Sequence, residues 1–162
     1  MTTSTIHRSA WEQTTSRQRA LQTLTTTIAN DPSELQDAVR RARSEEFGPL
    51  DSLLHEAHAL WMRTFDARLD AVLEHGGYGD QAATDALWTE VGRALPGLAT
   101  LLDAYATHPT VVQAHALHAR RMRRTVDVAL PSGWEPPAPV RRSRRRPACS
   151  GLRRARALLV AH

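Results

Sequence analysis

Apolar residues recur along this chain at intervals of three and four, and strand-like alternation is hard to find, so the pattern predicts helices. Over about 4–29, Ile6, Ala10, Leu21, Leu24 and Ile28 keep that spacing with Trp11 beside them. Nine Thr between positions 2 and 27 weaken this helix, because β-branching restricts χ1 in a helix, and it needs partners to be stable. Asp31-Pro32-Ser33-Glu34 then combines an N-cap acid, a proline at the first helical position and an acid in the capping-box place. A second helix is expected to start at 32, bury Leu35, Val39 and Ala42, and stop before Phe47-Gly48-Pro49.

The strongest signal runs from about 50 to 75. At 100° per residue, Leu50, Leu54, Ala57, Trp61, Phe65 and Val72 fall within an arc of roughly 80°, and Gly76-Gly77 ends the run. This is the expected central core helix. Arg68 projects from the middle of its apolar arc, so it requires a carboxylate such as Glu90 or Asp103, or a bend that brings its guanidinium to the surface. Asp80 is the expected cap of the next segment, whose apolar spacing continues through Pro96. Proline removes a backbone bond and clashes one turn back, so the pattern predicts two pieces, 81–94 and 96–107, kinked at Leu95-Pro96. A helix–turn–helix reader centred on Pro96-Gly97 is poorly supported, because its second helix offers Leu, Ala and Asp where base-reading side chains are wanted. His108-Pro109-Thr110 opens a last helix to about 130. Val111, His115, Ala119, Met122 and Val126 point one way, while Arg120, Arg121, Arg123 and Arg124 mostly cover the other side.

The resulting fold class is all-α, a bundle of five or six helices over 4–130, followed by a Pro/Arg-rich tail over 131–162 expected to be disordered. The 162 residues, 41% of them apolar, suffice for one domain with a core, and 23% charged residues exclude a wholly disordered chain. All 21 basic residues are Arg, which together with the many Ala reads as codon usage in a GC-rich bacterial genome. Arg still equips the surface to bind phosphate or carboxylate through a planar two-pronged fork. The single Cys149 excludes an internal disulfide and a Cys-based zinc cage. The start shows no apolar signal region, and no stretch approaches the roughly 18 apolar residues of a membrane span, so a cytoplasmic location is expected.

Charge position matters more than its sum. Residues 1–119 carry 9 Arg against 15 Asp or Glu, a net of −6, and residues 120–162 carry 12 Arg against Asp127 and Glu135, a net of +10. Arg141, Arg142, Arg144, Arg145, Arg146, Arg153, Arg154 and Arg156 sit among prolines, with Leu152, Ala155, Leu158 and Leu159 able to form one side of a short basic helix. Such a cluster binds nucleic acid by neutralising phosphates and releasing counterions, largely without regard to sequence. Two other readings compete with this one: the tail folding onto the acidic body, and GC-rich DNA translated out of frame.

Histidines form a second constellation. His55-Glu56-Ala57-His58 and His115-Ala116-Leu117-His118 each place two imidazoles on neighbouring positions of one helix, and Asp51 lies a turn before His55. Asp51, His55, His58, His115 and His118 could together hold zinc or iron in the bundle, the alternative to a protein without cofactor. Against this stand the abundance of His in the chain, the option that His115 and His118 fill the core, and the absence of Glu-x-x-His or His-Glu-x-x-His. Trp11, Trp61 and Trp88 are expected in the core rather than in a partner groove or dimer seam. Gly76-Gly77-Tyr78-Gly79 follows a helix and lacks the Lys-Ser/Thr of a phosphate loop, and no spacing singles out a catalytic triad. The expected function is therefore non-enzymatic: a small bacterial interaction or regulatory protein whose body binds a protein partner or a second copy and whose arginines contact nucleic acid. A metal-binding bundle or metal-dependent enzyme is the rival, and an antitoxin-like or phage-type helical adaptor without a ligand of its own is a third reading.

Overall fold

A computed structural model describes residues 10–74, 80–127 and 129–130. Among these the chain forms six α-helices and no strand: α1 (Ala10–Asn30), α2 (Leu35–Ala42), α3 (Leu50–Glu74), α4 (Gln81–Ala94), α5 (Pro96–Ala104) and α6 (Pro109–Val126). The expected start of the first helix at 4, the Gly76-Gly77 stop and the tail over 131–162 lie outside the described residues. α3 is the hub, packed against α6, α4 and α5, while α1 lies along α5 and α2. Among the described residues no helix is long and apolar enough to cross a membrane.

Leu21, Leu24 and Ile28 anchor α1 as the spacing requires, but Trp11 is 75% exposed and not part of the core. From Glu12 to Arg19 the sequence has no large apolar residue to continue a stripe to Trp11, so nothing draws that end of the helix inward. Asp31 caps a 3-10 turn over Pro32–Glu34, accepting hydrogen bonds from the Ser33 amide at 2.9 Å and the Ser33 hydroxyl at 2.7 Å. These bonds favour the ionised carboxyl and lower its pKa. Glu34 does not close a capping box. It reaches forward to Arg41 at 3.4 Å instead. The expected single second helix is thus a 3-10 turn, α2, and a π-helical turn over Arg43–Phe47 that ends at Gly48, where φ is +66°.

The buried face of α3 is wider than the arc read from its periodicity. It holds Leu53, Leu54, Ala57, His58, Trp61, Met62, Phe65, Leu69 and Leu73, roughly 200° of the circumference, because helices cover α3 on several sides. Leu50 and Val72 are only half-buried. Arg68 lies within that arc, as the spacing requires, but 35% of its side chain is exposed and its Nη1 donates to Glu90 Oε1 at 2.7 Å. Glu90 was one of the two expected partners.

The break at Leu95-Pro96 falls where the sequence places it. Leu95 leaves the helical region at φ −125°, ψ 58°, and Pro96 takes the first position of α5, where no amide hydrogen is needed. α5 ends at Ala104, a turn short of the expected 107. Gly97, Leu98, Ala99, Leu101 and Leu102 are buried in it, so α5 is a core helix whose exposed residues are Pro96, Asp103 and Ala104, none of them basic. Asp80 caps α4 by accepting from the Ala83 amide at 3.0 Å. We expect Asp80→Ala to lower unfolding free energy by about 1 kcal/mol, measured by urea titration. An unchanged midpoint would show that water replaces this bond without loss.

α6 starts at Pro109, with His108 Nδ1 accepting from the Thr110 amide at 3.3 Å, and stops at Val126 rather than near 130. Asp127 adopts a left-handed conformation and turns the chain. The chain then docks on the start of α4: the Gln81 side-chain amide donates to the Ala129 carbonyl at 2.8 Å and accepts from its amide at 3.2 Å. Leu130 is buried beyond this clamp.

Candidate functional site

α3 and α6 run side by side in the same direction, which decides where the histidines go. At the start of the pair Asp51 accepts from the Thr110 hydroxyl and lies 3.8 Å from His108 Nδ1. One turn to two turns on, His58 (4% exposed) meets His115 (6% exposed) edge to face, with ring centroids 6.0 Å apart. Further along, His118 Nε2 donates to Asp66 Oδ1 at 2.9 Å. His55 is exposed.

The five-residue metal set is therefore not assembled, and among the described residues no group of three or more His, Cys, Asp or Glu side chains could hold a metal ion. The physical reason is angular. Residues three apart differ by about 60° around a helix, enough here for His58 to face the core while His55 faces solvent. Asp51 is engaged at the α6 N-terminus instead, and His118 takes Asp66, a residue the sequence reading passed over because its partner lies 52 positions away.

His58 and His115 belong to an aromatic cluster with Trp61, Phe65 and Trp88. Trp88 packs edge-on against Trp61 and Phe65 at 5.3 Å each and against His115 at 5.7 Å. Trp61 and Trp88 are thus core residues, as expected. Burial pushes the His58 pKa down to about 4, helped by the neighbouring His115, His118 and His55, and its Nε2 is buried without a hydrogen-bond partner. This imidazole stays neutral at physiological pH.

The arginines of α6 have a different environment. Arg120, Arg121, Arg123 and Arg124 are all exposed and spread over roughly 160° of the helix opposite the buried Met122. Arg120 Nε donates to the Ala116 carbonyl at 3.2 Å, and among the described residues no carboxylate pairs with any of the four. Arg40, Arg41 and Arg68 by contrast pair with Asp37, Glu34 and Glu90. Arg123 and Arg124 occupy the last turn, where cations are favoured by the helix dipole, so the charge is tolerated locally without being neutralised. Arg141, Arg142, Arg144, Arg145, Arg146, Arg153, Arg154 and Arg156 lie outside the described residues.

No family model, no curated protein and no solved structure matches this chain. The functional reading accordingly rests on its own residues.

Among the described residues, two concave surfaces flanking α3 stand out. One, about 470 Å³, lies between α3 and α6 and is lined by His55, His58, Met62, Asp66, Leu117 and Arg121 among others. The other, about 560 Å³, lies between α1 and α3 and carries three charged side chains, Arg17, Arg63 and Glu56, that no periodicity or motif marked.

Proposed function

We propose that this chain is a non-enzymatic, cytoplasmic interaction protein that holds nucleic acid at the C-terminal end of its helical body. The observation that carries the proposal is the set of four exposed α6 guanidiniums without a carboxylate partner among the described residues, in a body whose other helices pair several of their arginines. Had the acidic body been the target of this charge, Asp or Glu side chains would be expected against Arg120–Arg124. The chain continues from there into eight more arginines with Asp127 and Glu135 alone to offset them. Phosphate oxygens are the acceptors that match such a surface: a guanidinium binds them bidentately, and a run of neighbouring charges gains from counterion release. With Trp134 as the only aromatic near the arginines of the tail, stacking is limited and binding is electrostatic and largely indifferent to sequence.

The test is a salt-titrated binding assay with labelled duplex DNA and single-stranded RNA. Affinity is expected to fall steeply between 50 and 200 mM salt, by about 10³-fold if six phosphates are neutralised. Replacing Arg120, Arg121, Arg123 and Arg124 together by Gln is expected to flatten the log–log slope by about 3 to 4 without changing the unfolding midpoint, since the four are exposed. An unchanged slope would remove α6 from the interface. Equal binding by a chain ending at residue 138 would remove the tail.

A further inference from the structure

We propose that the cleft between α1 and α3 binds a small amphipathic anion, an apolar body bearing one carboxylate or phosphate group. Its floor is apolar, formed by Leu21, Phe47, Leu60 and Leu95, and its volume of about 560 Å³ is that of a small-molecule pocket. Arg17 and Arg63 flank this floor from the two helices. Arg17 Nε is buried without a hydrogen-bond partner, and among the described residues neither arginine has an ion pair. That Nε is closed even to water and does not open onto the cleft, so what the cleft offers an anion is the charge of the two guanidiniums, neither of them neutralised by an ion pair among the described residues. As a competing carboxylate, the residues outside the described set contain one acidic side chain, Glu135. Glu56 is the single carboxylate in the cleft and leaves it one positive charge in excess. An oxyanion on the two guanidiniums with its apolar part on the four-residue floor satisfies both halves of the site.

The experiment is calorimetric titration of the full-length protein at 150 mM salt with decanoate, decyl phosphate, decanol and decyltrimethylammonium, each below its micellar concentration. Decanoate or decyl phosphate is expected to bind one per chain, and which of the two is tighter identifies the headgroup. Decanol is expected to bind about tenfold more weakly or worse, and the cation not at all. Arg17→Gln and the exposed-site variant Arg63→Gln should each weaken the anion about tenfold, while Glu56→Gln should tighten it, a sign that mere loss of structure does not produce. Arg123→Gln/Arg124→Gln should leave it unchanged, which separates this site from the nucleic-acid surface. Equal affinity for decanol and decanoate, indifference to both arginine substitutions, or no saturable binding would each overturn the proposal.

Discussion

Gly97→Ala is expected to destabilise the helical body by about 3 kcal/mol, the upper end of what an added methyl costs in a packed interior. A Cβ at this position would stand 1.8 Å from the Thr25 carbonyl oxygen and 3.0 Å from the Ala29 amide nitrogen. Both obstacles are backbone atoms of α1, so no side chain can rotate away and the two helices must separate. Separation would unseat Leu98, Leu101 and Leu102, which are almost fully buried on α5. Gly48 provides the contrast. Nothing lies within 4 Å of a Cβ there, and its cost arises from the backbone alone, at φ +66° and ψ −104°, about 1–3 kcal/mol for an alanine. Urea unfolding followed by tryptophan fluorescence at neutral pH measures both. A Gly97→Ala loss below about 1 kcal/mol would mean that α1 and α5 do not approach each other this closely.

The second large effect is a loss of stability in mild acid that originates at His58. In the unfolded chain this imidazole titrates near 6.5, and in the folded body burial and three neighbouring histidines push it to about 4. Between those values the unfolded state binds the extra proton, so folding is favoured above pH 6.5 and is progressively undermined as pH falls toward 4. The shift of two and a half pKa units corresponds to about 3 kcal/mol, fully present at neutral pH and gone below pH 4. The groups around His58 are His55 on its own helix, His115 and His118 on α6, and Asp66, which holds His118. His58→Leu keeps a similar volume and removes the titration, so its unfolding midpoint should depend less on pH across this window than that of the parent chain. Parallel curves for the two proteins would assign the acid sensitivity to other groups.

Both effects depend on features that were only partly legible along the chain. The chain of signals from Asp31-Pro32, Asp80, Leu95-Pro96 and His108-Pro109 placed helix boundaries to within a few residues, because capping and proline geometry involve neighbours in sequence. Glycine at 97 was visible, but its role was not, since a close helix crossing leaves no mark besides a missing side chain. For the candidate sites the same division holds. The α6 arginines were found by composition and helix phase, whereas the Arg17–Arg63 cleft joins residues 46 positions apart on separate helices and had no local signal.

Periodicity fixed which side of each helix turns inward, and with it the all-α class and most of the core, because a helix's apolar stripe must be buried wherever its partner lies. Partnership itself was settled only by packing. His58 meets His115 rather than a metal, His118 takes Asp66, Trp11 stays in solvent and Arg17 is left without an acceptor, all according to how the helices pack. Those relations join atoms brought within a few ångströms by packing across the whole fold, and no spacing along one helix encodes them.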